Sequence, residues 1–243
     1  MRAGIFDSGV GGLTVVKSLI EHNLFEEIIY FGDTARVPYG VKDKNTIIRY
    51  SLEAVEFFKN FNIDILIAAC NSVSSYAIEE MREIAPFKVF GVIEPGVKAL
   101  VNRVADKNAN ILILGTKATI ESKKYEKLLR QEGFNNLSSI APSLFVPIVE
   151  EGLFESEILE VTMKHYFKNV KEPEAVILGC THFPLIKESI QSYFPSAKLI
   201  HSGDAIVEYL KKHGFYRTAP ITSLKLFASE NPSHLKKVAK MWL

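Results

Sequence analysis

Cys70 and Cys180 are the residues with the most chemistry to offer. Each closes an apolar run and is followed at once by a polar residue. The first stands in Ile65-Leu66-Ile67-Ala68-Ala69-Cys70-Asn71-Ser72, the second in Val176-Ile177-Leu178-Gly179-Cys180-Thr181-His182. A structural cysteine could sit anywhere along such a run. One at the end of a strand sits where open α/β sheets bind their ligands. A thiol there acts as base or nucleophile once ionised, and at a reference pKa near 8.5 only about 3% is thiolate at pH 7. The N-terminus of a following helix offers N–H groups and positive partial charge that favour the anion. The same N–H groups can instead hold a substrate carboxylate.

Other polar residues occupy similar junctions. Asp7 ends the run Ala3-Gly4-Ile5-Phe6-Asp7, ahead of Ser8-Gly9-Val10-Gly11-Gly12. Its carboxylate could assist a thiol, or cap a helix that begins near Gly11. The glycines do not make a dinucleotide fingerprint, because the third required position is Thr14. Asp33-Thr34-Ala35-Arg36-Val37-Pro38-Tyr39-Gly40 is a turn-rich loop with an acid, a phenol and backbone N–H groups. Thr116 and Thr119 place two hydroxyls at a strand-to-helix junction, where helix capping is an equally natural role. His182 can offer a proton or a positive charge to Cys180, or be purely structural. Glu150 and Glu151 fall in the one long irregular stretch, 139–152, and loops of that size are often functional.

These junctions need strands and helices to position them. Strand-like runs cover 3–7, 28–32, 65–70 and 89–93, and the rhythm restarts at 111–115, 175–180, 198–202 and 224–228. Helical periodicity covers 45–61, 118–131, 155–167, 184–194, 204–213 and 232–242, with shorter helices after residue 12 and after Cys70. Strands alternating with helices predict parallel α/β architecture. Continuous apolar runs, rather than alternating ones, predict strands buried on both faces. The segments ILIAACN and VILGCT share one form, which points to two similar halves. The expected domains are 1–95 together with about 211–243, and 96–210.

Composition narrows the function. The chain has 243 residues, 47% hydrophobic and 23% charged. Folding a chain of this size buries roughly 72% of its extended surface, enough for a core without staples. Lys+Arg 29 against Asp+Glu 28 leaves a net charge of +1, with no basic excess for nucleic acid and no acidic tail. No apolar run reaches membrane-spanning length, and an acid interrupts the N-terminus before any signal core forms. The expectation is a cytoplasmic protein whose two cysteines are thiols. Two cysteines alone cannot build a thiolate-only zinc site.

Taken together, the motifs resemble those of the glutamate racemases, cofactor-independent amino-acid racemases of bacterial cell-wall synthesis. The matching segments are Gly4-Ile5-Phe6-Asp7-Ser8-Gly9-Val10-Gly11-Gly12-Leu13, Pro38-Tyr39-Gly40, Ala69-Cys70-Asn71-Ser72 and Gly91-Val92-Ile93-Glu94-Pro95-Gly96. Gly115-Thr116-Lys117-Ala118-Thr119, Val146-Pro147-Ile148-Val149-Glu150 and Gly179-Cys180-Thr181-His182-Phe183-Pro184 complete the set. The resemblance implies two α/β domains facing each other across a cleft, one thiol from each, and neither cofactor nor metal. One thiolate removes the substrate α-proton and the opposite thiol returns a proton to the other face. Cys70 would deprotonate D-glutamate and Cys180 L-glutamate. Asp7 would assist Cys70, and His182 would assist Cys180 with Glu150 nearby. Ser8, Pro38, Tyr39, Gly40, Asn71, Ser72, Thr116, Thr119, Thr181 and His182 match substrate-binding positions. Ser72-Val73-Ser74 stands where the family commonly has Thr-Ala-Ser, and Ser72 keeps the hydroxyl. The resemblance also implies D-glutamate supply for peptidoglycan, no nucleic-acid or membrane partner, and a homodimer.

Three other functions remain compatible with these residues. One is racemisation of aspartate or another amino acid. A second is a thiol hydrolase built on Cys180 and His182, which would leave the paired motifs unexplained. A third is a non-catalytic small-molecule sensor or partner-inhibiting protein that kept the cleft.

Overall fold

Short apolar runs bounded by glycines and polar residues become strands, and the periodic stretches between them become helices. The computed structural model describes residues 1–218 and 223–243. β1 (Arg2–Asp7) leads through the glycine turn to α1 (Leu13–Glu21). β2 (Glu27–Gly32) is followed by a 3-10 turn at Tyr39–Val41 and by α2 (Lys44–Phe58). β3 (Ile65–Ala68) precedes α3 (Asn71–Tyr76) and α4 (Ile78–Ile84), and β4 (Lys88–Gly91) precedes α5 (Ile93–Arg103). The second series runs β5 (Ile111–Gly115), α6 (Lys117–Glu121), α7 (Lys124–Gln131), β6 (Leu137–Ile140), α8 (Phe145–Glu150) and α9 (Glu157–Phe167). It continues with β7 (Ala175–Gly179), a 3-10 turn at Phe183–Ile186, α10 (Lys187–Tyr193), β8 (Lys198–His201) and α11 (Ser202–Lys212). β9 (Ser223–Ala228) and α12 (Pro232–Trp242) follow.

The strands form two sheets, ordered β4-β3-β1-β2-β9 and β6-β5-β7-β8, and the described pairings are all parallel. The first four strands of each half repeat one order: second, first, third, fourth. The matching segments ILIAACN and VILGCT therefore belong to the third strand of each half. β9 extends the first sheet beside β2.

Both faces of each sheet are covered, as a parallel sheet requires. Successive residues of β1 point to opposite faces. Ile5 packs with Leu13, Val16 and Leu19 of α1, while Phe6 packs with Val55 and Phe58 of α2. In β7, Val176 and Leu178 meet Phe145 and Phe167, whereas Ile177 meets Leu100 and Leu129. α11 joins the halves: Ile206 and Leu210 pack with α1, and Ala205 with α5.

Four features depart from the sequence expectation. The sequence pattern assigns no helix between 93 and 111, where the structure has α5. Pro95 falls in the first turn of the helix, where its missing N–H costs no bond. The stretch 139–152 is not a loop: it holds the end of β6 and all of α8, so Glu150 is the last residue of a helix. The expected helix 118–131 is two helices, broken at Lys123 with φ 53°. The helix after Cys70 likewise divides at Ala77 into α3 and α4.

Candidate active site

The carboxyl ends of the two sheets meet. Cys70 lies two residues past β3 at the head of α3, and Cys180 directly follows β7. Both sulfurs are free and buried, with 6% and 4% residue exposure.

At the Cys70 end, Cys70 Sγ donates to Ser8 Oγ at 3.5 Å. Burial, reinforced by the negative charge of Asp7, pushes the thiol up to about 12. The Val73 N–H and Ser8 pull in the opposite direction without cancelling this. Asp7 is fully buried. It is not the cap of α1, whose N-cap is Gly12 with no side-chain bond. Its Oδ2 accepts from the Gly9 N–H at 2.9 Å and its Oδ1 from Thr181 Oγ1 at 3.4 Å. Burial raises its carboxyl above the usual range, against the opposing charge of His182.

At the Cys180 end, His182 Nδ1 lies 3.8 Å from Cys180 Sγ. On its other side, His182 Nε2 lies 3.0 Å from Glu150 Oε1. Burial alone would strip the ring of its proton, but the bonds to Cys180 and Glu150 outweigh it and lift His182 to about 10. The bond from His182 holds Glu150 below the usual carboxylate range. The ring is therefore an imidazolium at neutral pH, held between a sulfur and a carboxylate.

Hydroxyls bridge the two ends. Ser72 Oγ lies 2.9 Å from Thr116 Oγ1, which lies 3.1 Å from Thr119 Oγ1. Thr116 also caps α6, so the capping role and the site role coincide. Thr14 Oγ1 donates to the Thr181 carbonyl at 2.9 Å. Gly40 lies against Thr116, where a Cβ would stand 2.5 Å from Thr116 Cβ. Any larger residue would force the halves apart there.

Most of the sequence-selected residues thus converge: Asp7, Ser8, Gly40, Cys70, Asn71, Ser72, Thr116, Thr119, Glu150, Cys180, Thr181 and His182. Pro38 follows a cis peptide bond and leads into the 3-10 turn that carries Tyr39 and Gly40. Tyr39 is buried, and its hydroxyl donates to Asp33. Asp33 is also held by Arg36 Nε at 2.7 Å and by Ser229 Oγ at 2.8 Å. Sequence reasoning missed Thr14, Tyr125 and Ser202. Thr14 carried a signal, as a hydroxyl in the first turn after a glycine run. Tyr125 reads as one more apolar position of a helix, and Ser202 as a strand-end polar residue.

A cavity of about 740 Å³ lies alongside, lined by Gly9, Val10, Glu150 and the α12 residues His234 and Trp242. Neither cysteine lines it. Among the described residues no group of three His, Cys, Asp or Glu could hold a metal ion, and no helix is long and apolar enough to cross a membrane.

Two buried thiols thus stand at sheet ends that meet, with Asp7 near one and His182 beside the other, in a fold of two parallel α/β halves. Residues 14–210 match the family model described as Asp/Glu/Hydantoin racemase. The chain belongs to this family, and within it to the glutamate racemases. It is 66% identical to the glutamate racemase of a Nitratiruptor species, across 100% of this chain and 96% of that one. The crystal structure of glutamate racemase from Campylobacter jejuni superposes with TM-score 0.98 at 53% identity, covering 100% of this chain and 98% of that one. Glutamate racemase from Francisella tularensis, solved in complex with D-glutamate, matches with TM-score 0.88 at 33% identity, covering 100% and 93%. The chain is accordingly an enzyme, an isomerase that racemises an amino acid.

Proposed function

We propose that the enzyme interconverts L- and D-glutamate with two thiols and no cofactor. The observation that carries this is the pairing of Cys70 and Cys180 after the third strand of each half, at sheet ends that meet. Inversion needs an acid and a base on opposite faces of the α-carbon, and one thiol from each half meets that need. In the L-to-D direction Cys180 takes the α-proton as thiolate beside the His182 cation. Cys70, a thiol until then, returns a proton to the other face. In the D-to-L direction the roles exchange, with Asp7 as the neighbour that relieves Cys70 of its proton.

Without an electron sink, the carbanion is stabilised by fixed donors in a site closed to water. The Ser72–Thr116 and Thr181–Asp7 contacts supply hydroxyls that the substrate's carboxylates and amino group would take over. A dianionic small substrate needs only this local polar surface, so the near-neutral net charge is no obstacle. The buried sulfurs require the two halves to part for entry. We take the domains as 1–95 with about 211–243, and 96–210, with residues 219–222 of that range outside the described residues. The expected setting is a cytoplasmic homodimer that supplies D-glutamate for peptidoglycan.

The test is a pyridoxal-free, metal-free assay of glutamate optical rotation, with α-proton exchange followed in heavy water. Cys70→Ser and Cys180→Ser are each expected to lose racemisation of both enantiomers. Full activity in either variant would overturn the two-thiol mechanism. Turnover compared across amino acids tests glutamate against aspartate.

One observation favours a second reading. Cys180, His182 and Glu150 are aligned as in a thiol hydrolase. A trapped acyl-thiol at Cys180 would reveal that chemistry, which leaves Cys70 without a role.

A further inference from the structure

The amide of Asn71, the residue after Cys70, is held from the other half of the molecule. Tyr125 Oη donates to Asn71 Oδ1 at 2.8 Å, and Asn71 Nδ2 donates to Ser202 Oγ at 3.4 Å. Ser202 Oγ in turn donates to the Leu178 carbonyl at 3.5 Å. Asn71 opens α3, Tyr125 lies on α7 and Ser202 opens α11. All three are buried, at 2%, 2% and 3% exposure.

The other face of this contact reaches the second cysteine. Gly179 immediately precedes Cys180, and a Cβ there would stand 3.2 Å from Tyr125 Cε2. A Cβ on Gly96 of α5 would stand 3.3 Å from Tyr125 Oη. One side chain with only two torsions thus touches the sequence neighbour of each cysteine. We propose that Tyr125 is a positioning residue that sets the spacing of the two thiols, gripping Asn71 with its hydroxyl and bracing Gly179 with its ring.

The proposal rests on the two-thiol reading. Proton transfer across the α-carbon needs both sulfurs close to it at once, and a displacement of about 1 Å can cost 10²-fold in rate. The rest of the second core would hold a phenylalanine at 125 equally well, since Tyr125 packs there with Ile113 and Leu129. The hydroxyl is what phenylalanine lacks toward Asn71, and its loss leaves the buried Oδ1 acceptor unpaired.

Tyr125→Phe and Ser202→Ala, made in the full chain, test this. For Tyr125→Phe we expect kcat about thirtyfold lower with KM within about twofold. L-glutamate in heavy water should also take up deuterium without inverting several-fold more often per inversion, because Cys180 still abstracts while Cys70 is misplaced. Ser202→Ala should move the same exchange-to-inversion ratio in the same direction, with kcat about threefold lower. If Tyr125→Phe does not fold, Ser202→Ala decides by that ratio. A lowered melting temperature with wild-type kcat and wild-type ratio would make Tyr125 a packing residue and overturn the proposal. Racemisation by Cys70→Ser or Cys180→Ser would instead overturn the two-thiol reading. Inactive cysteine variants beside an unchanged Tyr125→Phe would sink this proposal alone.

Discussion

Cys70 and Cys180 follow equivalent strands, yet one sits beside an acid and the other beside a cation. Asp7 and burial keep Cys70 in its thiol form. At the other end, His182 holds its proton between Cys180 and Glu150. The repeated fold supplies two places for sulfur, and the residues one strand or one loop away assign the resting protons. In the proposed mechanism this asymmetry gives Cys70 the acid's part in the L-to-D direction. In the other direction the proposed mechanism needs Cys70 to lose its proton, and burial raises the carboxyl of its neighbour Asp7.

The largest way to break this comparison is to remove one sulfur. Cys180→Ala and Cys70→Ala should each lower kcat by about 10³-fold or more, measured by circular dichroism of either enantiomer. Exchanging the neighbours sharpens it. Asp7→Asn and His182→Asn should each lower kcat by about 10²-fold, but with opposite bias. The enantiomers are equal in energy, so kcat/KM must stay equal in the two directions. The bias therefore appears in kcat and in the α-deuterium isotope effect, larger from D-glutamate in Asp7→Asn and from L-glutamate in His182→Asn. Isotope effects that shift equally from both sides would erase the distinction between the ends.

A pH series gives the next effect. His182 is raised in the folded state, so its pairing contributes stability fully below about 6.5, its ordinary value, and loses it as pH rises through about 10. Both the melting temperature and kcat should fall through that window. Both limbs should flatten in His182→Asn, read by calorimetry and initial rates. The smallest effect concerns the bridge between the ends. Thr181→Val removes a donor to Asp7 at 3.4 Å and should raise KM about fivefold with less change in kcat.

Much of the fold was legible because strand ends announce themselves. Cys70, Cys180, Asp7 and Gly115 all close apolar runs, and the structure places all four near sheet ends that meet. Legibility failed where a local signal competes with tertiary context. No helix is assigned around Pro95-Gly96, yet a first-turn proline suits a helix, and Gly96 lets α5 lie close to Tyr125. Glu150 falls in a stretch that reads as irregular, and the helical α8 carries it to His182. The bond from the Tyr39 hydroxyl to Asp33 likewise has no signal in the sequence.

The alternating architecture, the duplicated motif and the identity of the two sulfurs are readable from the chain alone. These follow from short-range causes: apolar periodicity, glycine turns and residue chemistry. Tertiary structure decided which sulfur rests beside a cation, which hydroxyls bridge the halves and which phenol reaches Asn71. Those outcomes depend on side chains distant in sequence meeting within hydrogen-bond reach: Glu150 with His182, Ser72 with Thr116, Tyr125 with Asn71 and Thr181 with Asp7. They depend also on burial, which raises Cys70 and Asp7 although no neighbour in sequence predicts it.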